Sequence, residues 1–268
     1  MRNFIKTAIY FVFYTLDTFL GVWGRKKKNV LVLMYHSVEE SPWKYSVSPS
    51  LFERQMKYLA KNFSIIPLAD VVSYAKGEKE FSGKSVAITI DDGYADTYTT
   101  VFPVIKKFKI PVTVFLTTDL SKSSKLGNLP RITWPQVEEM GKSGLVTFEV
   151  HGHTHANLVE ISGNGDALKG EIMQCANEIK NHTGREPRMI AYASGHKNPT
   201  VIDFLKKNGF RAGFTINEGF IRQGDDVFRL RRTQVDGTMS FTLFKMRLTG
   251  AVEFNRRFVD MMRTIYGK

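Results

Sequence analysis

One strand-like segment that ends in two acidic residues constrains the fold of this chain more than any other feature. Ser85-Val-Ala-Ile-Thr-Ile90 is apolar on both alternating faces, which is typical of a strand buried in a parallel sheet between helices. Asp91 and Asp92 follow directly, at the end of the strand where α/β folds carry their active sites. Adjacent strand residues point to opposite faces, so the two carboxylates converge only if the chain turns, and Gly93 permits that turn. Because two close carboxylates repel unless a cation lies between them, the segment predicts a metal site; the alternative is a solvated turn.

A histidine cluster follows a second strand-like run, Leu145–Val150. Three of the six histidines of the chain lie within it, at His151, His153 and His155. His151 and His155 share a face whether the segment is extended or helical, whereas His153 joins them only if it is extended. The predicted metal pair is therefore His151 and His155, with His153 as a spare or supporting group. Two imidazoles and a carboxylate suit zinc, cobalt or nickel; the alternative is a histidine-rich surface turn.

Strand and helix signals alternate along the rest of the chain, which predicts a single α/β catalytic domain built as a (β/α) barrel. Ser50 and Glu53 form a capping-box pattern before a helix that ends near Asn62, and Thr133 is a second predicted N-cap. Cys175 falls on the apolar face of a predicted helix and is expected to fill the core. The longest predicted loop spans residues 117–131. The last strand that the pattern predicts covers residues 212–216.

The net charge of +12 limits the partners of the chain. Its basic residues are dispersed and no nucleic-acid-binding motif is present, so a nucleic acid is not expected. An anionic membrane surface or an acidic polymer fits the charge better.

The segment 1–28 is distinct from the predicted catalytic domain, 29–268. It contains an apolar helix pattern over residues 3–24 and then Arg25-Lys-Lys-Lys28. Its uninterrupted apolar part is short for a bilayer span and Asp17 is costly inside a membrane, so the pattern favours a helix lying at the membrane interface. A single span and a helix packed on the domain are the alternatives. Because basic residues lie at both ends of this segment, the positive-inside rule does not predict its orientation in a membrane.

Three motifs of the chain resemble those of polysaccharide deacetylases, carbohydrate esterase family four. Thr89-Ile-Asp-Asp-Gly93 is similar to Thr-Phe-Asp-Asp-Gly, and His151-Gly-His-Thr-His155 is similar to His-(Ser/Thr)-x-x-His, with Gly152 in place of Ser or Thr. Val30-Leu-Val-Leu-Met-Tyr-His-Ser-Val38 resembles the Tyr-His-x-Val start of a permuted branch that includes poly-N-acetylglucosamine deacetylases. The likeness extends, more weakly, to about Phe244.

The resemblance implies an irregular seven-stranded (β/α) barrel and a divided role for the two aspartates. Asp92, His151 and His155 would hold a divalent metal ion, zinc above all, with cobalt or nickel as alternatives. Asp91, which is not a ligand in this scheme, would accept the proton of the attacking water as general base.

Further roles carry over to residues outside the two metal motifs. His36 matches the acid histidine that the permuted branch supplies from its first motif, and Arg232 matches an arginine that holds the catalytic aspartate. The backbone N–H of Tyr192 would stabilise the oxyanion. The chain departs from the family's Ala-Tyr-Pro-(Tyr/Phe)-Gly at Ala193 and Ser194, which loosens the loop and changes a sugar-stacking wall.

The implied activity is metal-dependent removal of N-acetyl groups from an acetylated amino-sugar polymer or glycan. The N-terminal segment predicts association with a membrane, and such a substrate favours the extracytoplasmic face of that membrane. A metal phosphoesterase and a non-catalytic sugar-binding protein of the same fold are the competing hypotheses.

Overall fold

The structure, a computed structural model, describes residues 2–20, 30–119 and 129–266. Within these residues the strands form one eight-stranded sheet. The strands are β1 (Val30–Tyr35), β2 (Ser64–Ile65), β3 (Ser85–Asp92), β4 (Val112–Thr117), β5 (Val146–Gly152), β6 (Met189–Ala191), β7 (Ala212–Phe214) and β8 (Thr233–Gln234).

The sheet closes into an irregular barrel. Seven strands follow the order β7-β6-β5-β4-β3-β1-β8, with the short β2 beside β3, and all their pairings are parallel. Leu230 forms a parallel bridge with Phe214 of β7, and β8 pairs with β1. The short segment 230–234 therefore joins the two edges of the sheet. The predicted α/β fold class is confirmed, and the carboxyl ends of the strands all lie at one end of the barrel.

The strands are apolar because both of their faces are buried. All eight residues of β3 and all six of β1 are buried. Along β1, Val30 and Val32 belong to the core inside the barrel, whereas Leu31 and Leu33 pack outward beneath the helices. This two-sided burial is what a near-continuous apolar run predicts for a parallel sheet.

Helices cover the outside of the barrel. The α-helices are α1 (Arg2–Leu20), α2 (Pro49–Asn62), α3 (Leu68–Ala75), α4 (Phe102–Phe108), α5 (Trp134–Lys142), α6 (Gly165–Leu168), α7 (Gln174–Thr183), α8 (Pro199–Lys207), α9 (Phe241–Arg247) and α10 (Ala251–Tyr266). A π-helical turn, Thr97–Val101, precedes α4, and a second one, Lys169–Met173, joins α6 to α7. Cys175 on α7 is fully buried, as expected.

The structure contradicts one of the two predicted helix N-caps and confirms the other. Helix α2 begins one residue before Ser50, with Ser48 as its N-cap and no side-chain capping bond, so the capping box predicted there is wrong. Glu53 instead pairs with Lys107 at 2.6 Å. Thr133 does cap α5, where its N–H donates to the Gln136 side chain at 2.9 Å. The patterns also missed α9, α10 and the two-residue strand β8.

Helix α1 packs on the domain, which is one of the two alternatives to the favoured helix at the membrane interface. Tyr10 is fully buried and donates a hydrogen bond to Glu218 at 3.0 Å, and Phe13 stacks on Phe254 of α10 with ring centroids 5.4 Å apart. Among the described residues, no helix has the length and apolarity needed to cross a membrane. The basic stretch 25–28 and residues 120–128 of the predicted loop lie outside the described residues.

Candidate metal centre and active site

The carboxyl ends of three strands deliver the predicted site residues to one cleft. His36 follows β1, Asp91 and Asp92 end β3, and His151 lies near the end of β5. The cleft has a volume of about 360 Å³. Its lining residues are Met34, His36, Trp43, Tyr45, Asp91, Asp92, His151, His155, Tyr192, Ser194, Ile216 and Gln234.

The backbone turns at Asp92, as the convergence of the two carboxylates requires. Asp92 has a φ of 74° and Gly93 a φ of 79°, both in the left-handed region that non-glycine residues rarely adopt. A Cβ on Gly93 would lie 2.3 Å from Cδ1 of Leu116, so only glycine fits there. Both carboxylates are almost completely buried.

Asp92, His151 and His155 form a set that suits a metal ion. Nε2 of His151 lies 3.2 Å and Nε2 of His155 3.7 Å from Oδ1 of Asp92, and one ligand atom from each residue lies within 4.8 Å of the others. Nδ1 of His151 is 2.8 Å from the carbonyl oxygen of Ala191, which only accepts, so this nitrogen carries the proton. In the neutral ring the lone pair of Nε2 therefore faces a carboxylate oxygen that has no hydrogen bond within the described chain. Lone pairs that converge in this way repel one another unless a cation binds between them.

The electrostatics of the site keep Asp92 and His155 in the forms that bind a metal ion. Burial alone would raise the pKa of Asp92, but the imidazoles of His151, His36 and His155 hold it well below its usual value. Burial, reinforced by the nearby His151, lowers the pKa of His155 to about 4. Burial likewise opposes protonation of His151, but the negative charges of Asp91 and Asp92 raise its pKa overall. Asp92 is thus anionic and His155 neutral near pH 7, which are the forms that bind a divalent metal ion.

Asp91 is clamped by Arg232 rather than by the histidines. Nη1 and Nη2 of Arg232 donate to the two carboxylate oxygens of Asp91 at 2.6 and 2.8 Å. The guanidinium is fully buried, and its Nε donates to the carbonyl oxygen of Thr215 at 3.1 Å. A bidentate pair of this kind fixes the orientation of the carboxylate. The structure thus brings together Asp91 and Arg232, as the resemblance implies.

His36 lines the same cleft, among aromatic rings. Its ring is 5.0 Å from that of Tyr45 and 6.3 Å from that of Trp43, and its buried Nδ1 has no hydrogen bond to a described residue. The two residues after it are held by Asp96, whose carboxylate accepts from Ser37 Oγ at 2.8 Å and from the N–H of Val38 at 2.9 Å.

His153 points away from the other two histidines of its motif. Its Nδ1 lies 3.0 Å from Oγ1 of Thr118 and its Nε2 3.0 Å from the side-chain nitrogen of Gln174. It belongs to a polar cluster beside the site and is absent from the metal-binding set.

The predicted oxyanion donor is wrong, because the N–H of Tyr192 is already engaged. It donates to the carbonyl oxygen of Phe214 at 3.0 Å, and the Tyr192 hydroxyl donates to that of Phe228 at 2.9 Å. Ser194 is exposed at the cleft with a φ of 54°, and its N–H donates to no described residue. In the family's Ala-Tyr-Pro-(Tyr/Phe)-Gly pattern, Ser194 stands at the aromatic position. Its place in that motif is the sequence signal that points to Ser194 as a residue of the site.

Two residues that support Asp92 were not predicted. Arg131 donates to the backbone carbonyl oxygen of Asp92 at 2.8 Å, and its guanidinium lies 5.0 Å from the ring of Tyr94. Burial, followed by the negative charge of Asp92, raises the pKa of Tyr94 well above its usual value, so its hydroxyl stays protonated beside the carboxylate. Tyr94 directly follows Asp-Asp-Gly in sequence, whereas nothing in the sequence pattern around Arg131 points to the site.

A parallel α/β barrel with two imidazoles and a carboxylate at the carboxyl ends of its strands defines the class of barrel metallohydrolases. The profile of the family described as "Polysaccharide deacetylase" matches residues 78–213, just over half of the chain. The chain belongs to the polysaccharide deacetylase family, and it is therefore a hydrolase that removes acetyl groups.

Relatives of known name agree with this membership. The poly-β-1,6-N-acetyl-D-glucosamine N-deacetylase of Staphylococcus epidermidis is 28% identical over 242 residues, which cover 82% of this chain and 83% of that protein. The protein of the same name from Staphylococcus aureus strain MRSA252 is 28% identical over 228 residues, covering 77% of this chain and 79% of that protein. The structure of IcaB from Ammonifex degensii superposes with a TM-score of 0.73 at 26% identity and covers 84% of this chain and 97% of IcaB. The Streptococcus pyogenes deacetylase PplD, at 23% identity and a TM-score of 0.72, covers 82% of this chain and 98% of its own and shares the fold.

Proposed function

We propose that this protein hydrolyses the N-acetyl groups of a β-1,6-linked N-acetylglucosamine polymer with the help of one divalent metal ion. The observation that carries the proposal is the convergence of the His151 and His155 nitrogens on an Asp92 oxygen that has no hydrogen bond within the described chain. The choice of polymer follows from the names of the staphylococcal relatives. Asp92, His151 and His155 are the proposed ligands.

Zinc is the proposed metal, with cobalt or nickel as alternatives, because two imidazoles and one carboxylate suit these ions. Bound in such a site, the ion would act as a Lewis acid and would lower the pKa of a water molecule to about 7.

The remaining steps are proposed for residues of the chain itself. Asp91 accepts a proton from the attacking water, and its clamp by Arg232 keeps it oriented for that purpose. As the carbon–oxygen bond forms and the carbonyl oxygen becomes negative, the N–H of Ser194 donates to it in place of Tyr192. His36 protonates the amine nitrogen as the carbon–nitrogen bond breaks, because an amide nitrogen is a poor leaving group as an anion. The products are acetate and a free amino sugar.

The direct test is acetate release by the purified, metal-stripped chain after addition of Zn²⁺ or Co²⁺. We expect release from β-1,6-linked N-acetylglucosamine oligomers and none without metal. Oligomer binding without acetate release, in the presence of bound metal, would instead indicate a sugar-binding protein. Hydrolysis of a phosphate ester in preference to the oligomer would indicate a phosphoesterase.

A comparison of two leaving groups tests the role of His36. His36→Ala should slow hydrolysis of the acetylated oligomer severely but slow an activated aryl acetate much less, because a phenolate leaves without protonation. Metal affinity should not change, since His36 is not a proposed ligand. An equal loss of rate with both substrates would mean that another group protonates the amine.

We also propose that the face formed by α1 and α10 contacts an anionic membrane surface, on the extracytoplasmic side that a polymeric substrate favours. Phe11, Val12 and Phe19 of α1 are 54%, 52% and 86% exposed, and Met261 of α10 is 50% exposed. The net charge of +12 favours anionic headgroups around these apolar side chains.

Co-sedimentation with vesicles tests this attachment. The full chain should bind phosphatidylglycerol-containing vesicles, and Phe11→Ser combined with Phe19→Ser should weaken that binding. Equal binding of the wild type to neutral phosphatidylcholine vesicles would contradict the charge argument, and unchanged binding of the double variant would contradict the assigned face.

A further inference from the structure

The two histidines of the metal set are oriented in different ways. His151 is fixed through its ring, because its Nδ1 donates to Ala191. The ring of His155 makes no hydrogen bond to another described residue, and only its Nε2 faces Asp92. Metal-binding histidines are normally oriented by a partner on their second nitrogen. Something other than a ring partner must therefore orient His155.

The backbone of His155 is in a costly conformation. Its φ of 62° lies in the left-handed region, which is unfavourable for a non-glycine residue and persists only where the surroundings impose it. We therefore expect the residues on both sides of His155 to be held in place by contacts with other parts of the structure.

A single buried carboxylate, that of Glu171, contacts both sides of His155. Its Oε1 accepts from the N–H groups of Thr154 and Ala156, each at 3.0 Å, and its Oε2 accepts from Oγ1 of Thr154 at 2.8 Å. Its backbone oxygen also accepts from the N–H of His153 at 2.8 Å. Hydrogen bonds to an ionised acceptor are about twice as strong as neutral ones.

Two further observations single out Glu171. It lies in the π-helical turn Lys169–Met173, an irregularity that often marks functional positions. Gly152, where the family pattern has Ser or Thr, has a φ of 119°, and a Cβ there would lie 2.4 Å from Oε1 of Glu171. The glycine thus leaves the space that the carboxylate occupies.

We propose that Glu171 is a positioning residue for metal binding, which holds residues 152–156 in the conformation that turns His155 toward Asp92. The inference rests on the metal site of the proposed function and adds a residue to it. Glu171 is buried and is not among the residues that line the cleft. Its effect is transmitted through the backbone of Thr154 and Ala156.

The test is the affinity of the metal-stripped chain for Co²⁺ and Zn²⁺, measured by calorimetric titration together with the visible spectrum of bound Co²⁺. Glu171→Gln keeps the size of the side chain but removes the charge and replaces one acceptor by a donor. We expect it to lower metal affinity by about 10–100-fold, the usual effect of a residue that supports a ligand, and to change the Co²⁺ spectrum.

Glu149→Gln is the matched control. Glu149 is another buried carboxylate, on β5 itself, and accepts two backbone N–H bonds, from Arg188 and Met189, without touching residues 152–156. Its variant should bind metal like the wild type. Thr154→Val removes only the hydroxyl contact with Glu171 and should lower metal affinity by less than Glu171→Gln does. If Glu171→Gln does not fold, the metal affinity of Thr154→Val tests the proposal instead.

The outcomes separate this inference from the proposed function. A wild type that binds no divalent metal would overturn both. If the wild type binds metal, two results would overturn the role of Glu171 alone. One is that Glu171→Gln binds metal as tightly as the wild type. The other is that Glu149→Gln loses as much affinity as Glu171→Gln. If Glu171→Gln does not fold, wild-type affinity in Thr154→Val would do the same.

Discussion

Asp91 and Asp92 are neighbours in sequence but have different partners in the structure. Arg232 takes both oxygens of Asp91, whereas one oxygen of Asp92 faces His151 and His155. The left-handed backbone of Asp92 allows both carboxylates to line the same cleft. At the scale of single residues, this difference in partners supports the proposed division between a proton acceptor and a metal ligand.

The ligand assignment predicts a specific pattern of metal loss. Asp92→Ala, His151→Ala and His155→Ala should each abolish tight binding of one divalent ion, because each removes a third of the donor set. His153→Ala should bind metal nearly normally, since His153 pairs with Thr118 and Gln174 instead. Elemental analysis of the dialysed proteins measures the outcome. Loss of metal in His153→Ala with retention in His151→Ala would reverse the assignment.

The role of Asp91 predicts loss of turnover without loss of metal. Asp91→Asn should retain the ion while its rate falls by about 10²–10⁴, the usual contribution of a positioned proton acceptor. It should also be less stable by about 3–5 kcal/mol, because the buried Arg232 loses its counter-charge. Rates should therefore be measured well below the melting temperature of the variant. Metal loss equal to that of Asp92→Asn would show that both aspartates are ligands.

At the scale of elements, the loop that follows each strand places the cleft side chains, and buried carboxylates hold two of these loops. Glu171 holds the loop after β5, and Asp96 holds the one after β1 through Ser37 and Val38. Burial raises the pKa of Asp96 to about 6, although its bonds from Val38 and Ser37 partly oppose this. Neither acid stands in a motif, so each is recognised only when its contacts are known.

The contacts of Asp96 predict an effect on His36 and not on the metal. Asp96→Ala removes both bonds that fix the two residues after His36, and each lost bond should cost about 1–3 kcal/mol of stability. In the folded variant, hydrolysis of the acetylated oligomer should fall more than hydrolysis of an activated aryl acetate, as expected for His36→Ala. Metal affinity should remain that of the wild type. Reduced metal affinity would mean that this loop also supports the ligands.

At the scale of the whole molecule, the barrel is closed by short segments and covered by helices from both ends of the chain. Leu230 and β8 join the sheet edges, while α1 packs on α10 and α9. Arg247 of α9 lies with its guanidinium 5.6 Å from the Tyr10 ring and pairs with Glu218, to which Tyr10 also donates. The N-terminal helix is thus tied to the domain by a buried polar cluster as well as by apolar contacts.

Glu149 predicts a pH dependence of the global stability. Burial raises its pKa from 4.5 to about 7, against the opposing bonds from Met189 and Arg188. Since the folded state then binds more protons than the unfolded state, the stability that Glu149 contributes falls as the pH rises from 4.5 to about 7. The shift corresponds to a loss on the order of 3 kcal/mol.

Urea unfolding of the metal-free wild type and of Glu149→Gln, below pH 4.5 and above pH 7, measures this effect. The wild type should lose stability relative to the variant as the pH rises. A constant difference between the two proteins across this range would mean that the pKa of Glu149 is the same in the folded and unfolded states.

The sequence by itself determined the parallel α/β barrel and the cluster of Asp91, Asp92, His151 and His155. Strands that are buried on both faces have apolar runs such as residues 85–90. The metal-binding side chains lie in the sequence at the ends of such runs. Those patterns depend only on neighbouring residues. They can therefore be recognised from the sequence alone.

Only the tertiary structure decided which groups hold these side chains and which donors are free. Glu171 lies 16 positions from His155, Asp96 pairs with Ser37 across 59 positions, and the N–H of Tyr192 donates to a strand that begins 20 positions later. Sequence periodicity carries no information about contacts at such separations. They follow from the register and closure of the barrel, because closure brings the ends of distant strands to a single cleft.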